Sequence, residues 1–279
     1  MLYFNGSPVA MHFFPNRELY LDTGFLVKIA RDTRCIVALR FEGSDDLVAL
    51  RFLKMTLDDM GFSDVSLKAP FFPYSTMDHS DESRPLSLKY YAAEVNSLGF
   101  RTVDVMEPHS SVLAALVNRL KVTNGSAPLA RRVLQNYDSG DLLICFPDAG
   151  AEKRYCEDFP GMRTATFQKK RDFATGEITG MRCLDSLDGI GPQTTAIIVD
   201  DLCRGGRTFV ECGKLIRDAG VGHVILCVTH VETGVFQSGI LEDGIVDEIY
   251  ATDSCLPVNH QTHPKLHITY MFEKESCHV

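Results

Sequence analysis

No apolar run in this chain approaches the roughly 18–20 residues that span a bilayer, so no membrane-spanning segment and no membrane partner are expected. The amino terminus, MLYFNGSP, lacks the basic stretch and apolar core of a secretory leader, and none is expected. Positive charge is in short supply: 28 Lys and Arg stand against 37 Asp and Glu, a formal charge of −9. Duplex binding is dominated by phosphate neutralisation, so this balance argues against a nucleic-acid surface. A polyanionic ligand would need cations gathered locally or brought by a metal. No CxxC pair occurs among the nine cysteines, at positions 35, 145, 156, 183, 203, 212, 227, 255 and 277. Their spacing offers neither a zinc ribbon nor a thioredoxin motif. Odd in number and scattered, they read as free thiols of a reducing cytoplasm. Internal repeats and low-complexity tracts are also missing.

What is present is ordinary globular material: 279 residues, 45% hydrophobic and 23% charged, long enough for one large domain or two of about 100–150 residues. Short apolar runs alternate with helical periodicity. Residues 35–39 (CIVAL) read as a strand. Ser44 reads as a helix N-cap, with Asp45 and Asp46 in the first turn, where they suit the positive end of the helix dipole. Leu47, Leu50, Leu53, Leu57 and Met60 then form one apolar face, and Gly61 closes the helix. Residues 65–69 are the next strand, Pro85 opens the next helix up to Gly99, and residues 102–106 form a further strand. In the second half, strands are expected at 141–146, 195–199 (TAIIV), 223–229 and 266–272, with a helix from Phe209 to Ala219 closed by Gly220. The β-branched run at 195–199 is of the kind buried on both faces of a parallel sheet. Such alternation means α/β with mainly parallel sheets. The polar stretch 121–127 (KVTNGSA) is the expected linker, giving two halves, 1–124 and 125–279. Ligands in such sheets bind beyond the carboxyl ends of the strands, which directs attention to residues 71–78, 107–110, 147–150 and 200–208.

The last of these segments is the most informative. Residues 196–208, AIIVDDLCRGGRT, deliver two adjacent carboxylates at the end of a buried strand, then a Gly-rich turn, then a helix. Successive amides in such a turn form an anion nest, and the helix dipole adds to it. Carboxylates that accept from vicinal hydroxyls, beside a phosphate cradle, suit a sugar phosphate.

This run resembles the phosphoribosyl-diphosphate (PRPP) motif. Other segments follow in a matching order. Residues 146–150 (FPDAG) resemble Ser-Pro-Asp-x-Gly, and 167–171 (FQKKR) resemble a catalytic loop with Lys-Arg-Arg. Residues 69–78 (APFFPYSTMD), with Ser83, Arg84, Pro85 and Lys89 after them, resemble Pro-Tyr-x-x-Tyr-x-Arg-Gln-Asp and its downstream Arg-Glu-Pro-x-x-x-Lys. Residues 105–109 (VMEPH) resemble an Asp-Leu-His strand end, and 13–18 (FFPNRE) resemble Arg-Phe-x-Asp-Gly-Glu. Together they make the chain similar, over nearly its whole length, to the ribose-phosphate pyrophosphokinase (PRPP synthetase) family.

The resemblance implies an α/β fold of two phosphoribosyltransferase-like domains, each a mainly parallel sheet flanked by helices. It implies that the β,γ-diphosphoryl group of Mg-ATP passes to the anomeric hydroxyl of ribose 5-phosphate, releasing AMP. By position, Asp200 and Asp201 would hold the ribose hydroxyls. Leu202, Cys203, Arg204, Gly205, Gly206, Arg207 and Thr208 would hold the 5′-phosphate, with no chemistry assigned to the Cys203 thiol. Lys169 and Arg171, next to Lys170, would clamp the transferring group, and the flanking residues 172–177 would fit a mobile lid. His109 would be catalytic and lie with Asp148 at the metal and diphosphate. Phe14, Asn16 and Glu18 would reach the adenine of ATP on a neighbouring subunit, with Asp78 and His109 also at the ATP site. The implied cofactor is Mg²⁺, and the implied assembly is a homodimer or homohexamer with the ATP site at an interface.

The chain also departs from the family pattern. Thr76 and Met77 stand where Arg-Gln is usual. Asn16 leaves the adenine segment one charge short. A strand and helix before Phe14 are expected to be missing or reduced, and the chain stops early after 266–272. In the phosphate turn an acid has become Arg204, one threonine is gone and Arg207 is added. Guanidinium groups suit a diphosphate in bidentate fashion, so the expected acceptor is ADP-ribose, as in phage-type enzymes that make ADP-ribose pyrophosphate for NAD⁺ rebuilding; the location would then be a host cytoplasm. The alternative acceptor is ribose 5-phosphate. Two further readings are a phosphoribosyltransferase and a non-catalytic regulatory relative.

Overall fold

The structure is a computed structural model that describes residues 1–81, 83–137, 142–171 and 178–272. The chain divides into two compact units. The first comprises Met1–Thr123 and the segment from Tyr270; the second is Asn124–Thr269. The sequence reading carries the second half through to the carboxyl terminus, but contacts attach the segment from Tyr270 to the first unit. Phe272 stacks on Tyr3 with ring centroids 5.5 Å apart and lies 4.3 Å below the Arg40 guanidinium. Lys68 Nζ donates to the Met271 carbonyl at 3.4 Å.

In chain order the first unit contains β1 (Leu2–Phe4), β2 (Ser7–Val9), β3 (Met11–Phe13), β4 (Leu19–Leu21), β5 (Cys35–Leu39), α1 (Ser44–Asp59), β6 (Val65–Ala69), α2 (Ser87–Ser97), β7 (Val103–Met106), α3 (Val112–Leu116) and β8 (Leu120–Thr123). Its six-stranded sheet runs β2-β1-β5-β6-β7-β8. Strands β5 to β8 are parallel, whereas β1 is antiparallel to both β2 and β5. A strand before Phe14 is therefore present, contrary to the expectation from the short amino terminus. Three short strands occupy that stretch, and β3 pairs with β4 in a separate antiparallel hairpin. The apolar stripe of α1 behaves as its spacing requires, with Leu50, Leu53 and Leu57 buried. The cap differs from expectation: Gly43 holds the N-cap position, and the Asp46 carboxylate accepts from the amides of Glu42 (2.7 Å) and Gly43 (3.1 Å). An acid at the third helical position thereby satisfies donors ahead of the helix. Helix α2 starts at Ser87, two residues after Pro85.

The second unit contains α4 (Ser126–Leu134), β9 (Leu142–Phe146), α5 (Ala149–Tyr155), β10 (Thr164–Arg171), β11 (Ile178–Cys183), β12 (Thr195–Cys203), α6 (Arg207–Asp218), β13 (His223–Val231), β14 (Glu248–Thr252) and β15 (Leu266–Thr269). Its seven-stranded sheet runs β11-β10-β9-β12-β13-β14-β15. All neighbours are parallel except the edge hairpin of β10 and β11. Strand β12 is central and lies between two core layers. Ala196 and Ile198 face one, with Phe209 and Ile216 of α6. Ile197 and Val199 face the other, with Val133 of α4 and Tyr155 of α5. The stretch 121–127 is not a free linker: β8 takes its start, α4 takes its end, and a β-carbon at Gly125 would lie 2.2 Å from Thr229 Oγ1. Among the described residues no helix is long and apolar enough to cross a membrane.

Candidate active site

Strand β12 runs four residues beyond the β-branched stretch, so Asp200 and Asp201 lie on the strand itself. Alternation puts their side chains on opposite faces. Asp201 is buried, at 3% exposure, and its Oδ1 sits 3.0 Å from Nη1 of Arg154 on α5. Asp200 is half-buried. Burial, and then the Asp201 carboxylate beside it, push its pKa well above the usual carboxylate range. Ser126 at the start of α4 donates to the Asp200 carbonyl at 2.5 Å and accepts from the Thr229 amide at 2.8 Å. The carboxyl ends of β12 and β13 are thus pinned to one buried hydroxyl.

Beyond Cys203 the chain turns into α6. Gly206 holds the N-cap position in a left-handed conformation, φ +78°, which glycine adopts without strain. The first intrahelical bonds run from Phe209 and Val210 to the Gly206 carbonyl, so the amides of Arg207 and Thr208 precede them at the positive end of the helix. Arg204 and Arg207 are exposed, Leu202, Gly205 and Thr208 are half-buried, and the Arg204 guanidinium is 3.5 Å from Glu232 Oε1. Gly234 closes over the turn: a β-carbon there would lie 2.6 Å from the Arg204 carbonyl oxygen. The Cys203 side chain points into the core, where burial and nearby Asp200 push its thiol up to about 12. Its part in the turn is its backbone, whose carbonyl accepts from the Glu232 amide at 2.9 Å.

Asp148 follows β9 and caps α5, its Oδ1 accepting from Gly150 (2.9 Å) and Ala151 (3.0 Å). Its charge contributes to the raised pKa of Asp200, which places it at the same strand ends. Lys169 does not lie in a loop: it is on β10, paired with Met181 of β11. Arg171 ends β10 opposite Ile178, after a register shift. The expected lid, 172–177, lies outside the described residues.

In the first unit, His109 follows β7 after Glu107, which is buried and takes φ +42°, a conformation costly for a residue other than glycine. The turn brings the segment after β7 to Asp78. Burial raises the Asp78 pKa, but the Ser110 hydroxyl, His79 and the proximity of His109 outweigh it and hold it low. His79 Nδ1 lies 3.0 Å from Asp78 Oδ1. Phe14, Asn16 and Glu18 share the turn between β3 and β4. The Phe14 amide donates to the Glu18 carbonyl (2.9 Å), Asn16 Oδ1 accepts from the Glu18 amide (3.2 Å), and the exposed Phe14 ring lies 4.9 Å from Tyr20. Among the described residues no group of three or more His, Cys, Asp or Glu is placed to hold a metal ion. Arg154 and Ser126 are the two site residues that motif reading passes over. Neither stands at a strand end, where that reading looks.

Fold and site together define an α/β protein whose second unit carries a carboxylate and a phosphate-binding turn at the end of a central parallel strand. No family model matches the chain. Relatives span most of it. It is 27% identical over 252 residues to a ribose-phosphate pyrophosphokinase of Thermococcus kodakarensis, covering 86% of this chain and 83% of that one. A ribose-phosphate pyrophosphokinase of Thermosipho africanus is 24% identical over 260 residues, covering 90% and 78%. The crystal structure of phosphoribosylpyrophosphate synthetase from Mycobacterium smegmatis superposes with a TM-score of 0.76, covering 95% of this chain and 86% of that one at 18% identity, a likeness of fold. The chain belongs with the ribose-phosphate pyrophosphokinase family. These relatives do not single out its phage-type branch.

Proposed function

We propose that the protein is an ATP-dependent diphosphotransferase that moves the β,γ-diphosphoryl group of ATP to the anomeric hydroxyl of ribose 5-phosphate and releases AMP. One observation carries this reading: the half-buried Asp200 sits directly ahead of a glycine turn whose amides open the N-terminus of α6. A carboxylate for sugar hydroxyls and an amide nest for phosphate are thereby adjacent.

Phosphoryl transfer is largely positioning and charge stabilisation, and each part has a matching residue. The turn from Leu202 through Gly205 and Gly206 to Thr208 holds the 5′-phosphate, with Arg207 exposed at its rim. Lys169 and Arg171, brought by the β10–β11 hairpin, clamp the transferring group. His109 donates a hydrogen bond to it, beside Asp78. Phe14, Asn16 and Glu18 present an exposed aromatic turn suited to adenine, and a homodimer or homohexamer would bring it to a neighbour's site. Magnesium is commonly held by one or two carboxylates plus substrate phosphates, so the missing three-residue cage does not conflict with it. Asp148, with one oxygen committed to its cap, and Asp200 are the carboxylates that would hold it. Imidazole is not a preferred ligand of so hard a cation, so His109 fits the diphosphoryl group better than the metal. When bound, the ion would offset charge on the diphosphoryl oxygens.

The acceptor reading changes from the one first drawn. ADP-ribose was favoured because Arg204 adds positive charge to the turn. That charge is partly offset by Glu232, and the relatives named above are ribose-phosphate enzymes by name. Incubation with ATP, Mg²⁺ and either acceptor, followed by mass spectrometry, is the test. AMP and diphosphorylated ribose 5-phosphate support the reading. Diphosphorylation of ADP-ribose alone would replace the acceptor, and no AMP with either would overturn the activity.

A further inference from the structure

We propose that Arg154 removes Asp201 from sugar recognition, so that of the adjacent aspartates Asp200 alone grips the ribosyl hydroxyls. The inference rests on the functional reading above and refines its substrate site. The two carboxylates project to opposite faces of β12. Asp201 shares its face with Ile197 and Val199, over which α4 and α5 pack. There it is buried and 3.0 Å from the Arg154 guanidinium. Arg154 is held in turn: its Nη1 donates to the Tyr155 hydroxyl at 3.4 Å, and its guanidinium lies 5.5 Å from the Tyr155 ring centroid. Tyr155 is itself fully buried.

Turning Asp201 toward a sugar would leave a largely buried guanidinium without its counter-ion. Breaking such a pair costs about 3–5 kcal/mol. A hydroxyl–carboxylate hydrogen bond returns only about 1.5–3 kcal/mol net. The ion pair therefore wins. Asp200 is under no such constraint. Its side chain is half-buried and its carbonyl is fixed by Ser126, so its carboxylate is aimed without being consumed. Arg154 is thus a positioning residue: it sets the end of β12 through Asp201 and touches no substrate.

Steady-state kinetics with ribose 5-phosphate, together with thermal melts, test the division. Asp200→Asn is expected to raise KM for ribose 5-phosphate by at least about tenfold with little change in melting temperature. Arg154→Gln is expected to lower the melting temperature and raise KM, because it strands a buried carboxylate. Arg154→Lys should recover part of both. The decisive variant is Arg154→Gln with Asp201→Asn, which removes both charges. It should melt higher than Arg154→Gln alone and stay within about threefold of the wild-type KM. If its KM rises as far as that of Asp200→Asn while its melt recovers, Asp201 is itself a sugar ligand and the proposal is overturned. If the wild type releases no AMP with ribose 5-phosphate, the functional reading falls first and the proposal falls with it.

Discussion

A β-carbon at position 206 would lie 2.4 Å from Cδ1 and 3.1 Å from Cβ of Ile240, on a backbone at φ +78°. The end of a flexible side chain could move aside; a Cβ cannot without shifting its backbone. Gly206→Ala therefore meets both a left-handed conformation and an overpacked contact, each worth about 1–3 kcal/mol. The turn it distorts is the one proposed to hold the 5′-phosphate. A melt and a ribose 5-phosphate titration should show loss of stability and at least about a tenfold loss of affinity. An unchanged affinity would place the phosphate elsewhere. Cys203 carries the opposite lesson. It lies inside the same turn, yet its thiol is buried in the core, and Cys203→Ser is expected to affect packing rather than chemistry.

Among the elements, the β10–β11 hairpin and the β13–β15 edge make separate claims. Lys169 stands on a strand, half-buried and opposite Met181. Lys169→Ala should leave the melt nearly unchanged while lowering turnover by about 10²–10³-fold, the usual cost of losing a transition-state charge contact. An unaltered rate refutes its role as a clamp. At the other edge, Glu248 is surrounded by donors: Tyr250 Oη at 2.9 Å, His223 Nε2 at 3.1 Å and His267 Nε2 at 2.9 Å. Burial raises its pKa, but the Tyr250 and His223 hydrogen bonds and the nearby imidazoles outweigh that and hold it below the ordinary glutamate range. A carboxyl whose folded pKa is depressed stabilises the fold above its unfolded pKa, about 4.3, and loses that contribution as pH falls through the folded value. Glu248→Gln should therefore cost about 1 kcal/mol at neutral pH, with the gap to wild type closing as the melt is taken below pH ~4. A gap that widens in acid would contradict the assignment. The β-branched run of β12 and the acids after it are legible from sequence, because burial and turn chemistry are local signals. Arg154 is not. Its meaning arises only when α5 lands against β12, and residue spacing does not encode that contact. The basic run 167–171 reads as a loop because its charges suggest exposure. A hairpin at a sheet edge accommodates such charges as well.

At the scale of the whole molecule, the chain leaves the first unit at Thr123 and contributes to it again from Tyr270. That second contribution is invisible to a reading that looks for one linker, since it depends on side chains meeting across nearly the full sequence. Phe272 stacks on Tyr3 of β1 and covers the guanidinium of Arg40, which is 5% exposed just after β5. Its ring therefore shields a buried cation and ties β1 to the chain's far end. Phe272→Ala removes an aromatic pair, a cation–π contact and the cover over Arg40, a loss of about 2–3 kcal/mol. Because every partner lies in the first unit, the damage should be local. Amide hydrogen exchange is expected to quicken in β1 and β5, whose pairing runs from Leu2 opposite Leu39 to Phe4 opposite Val37, while β12 and β13 keep their protection. If protection is lost in β12 and β13 instead, the carboxyl-terminal segment belongs energetically to the second unit, and the division of the chain drawn from its contacts is wrong.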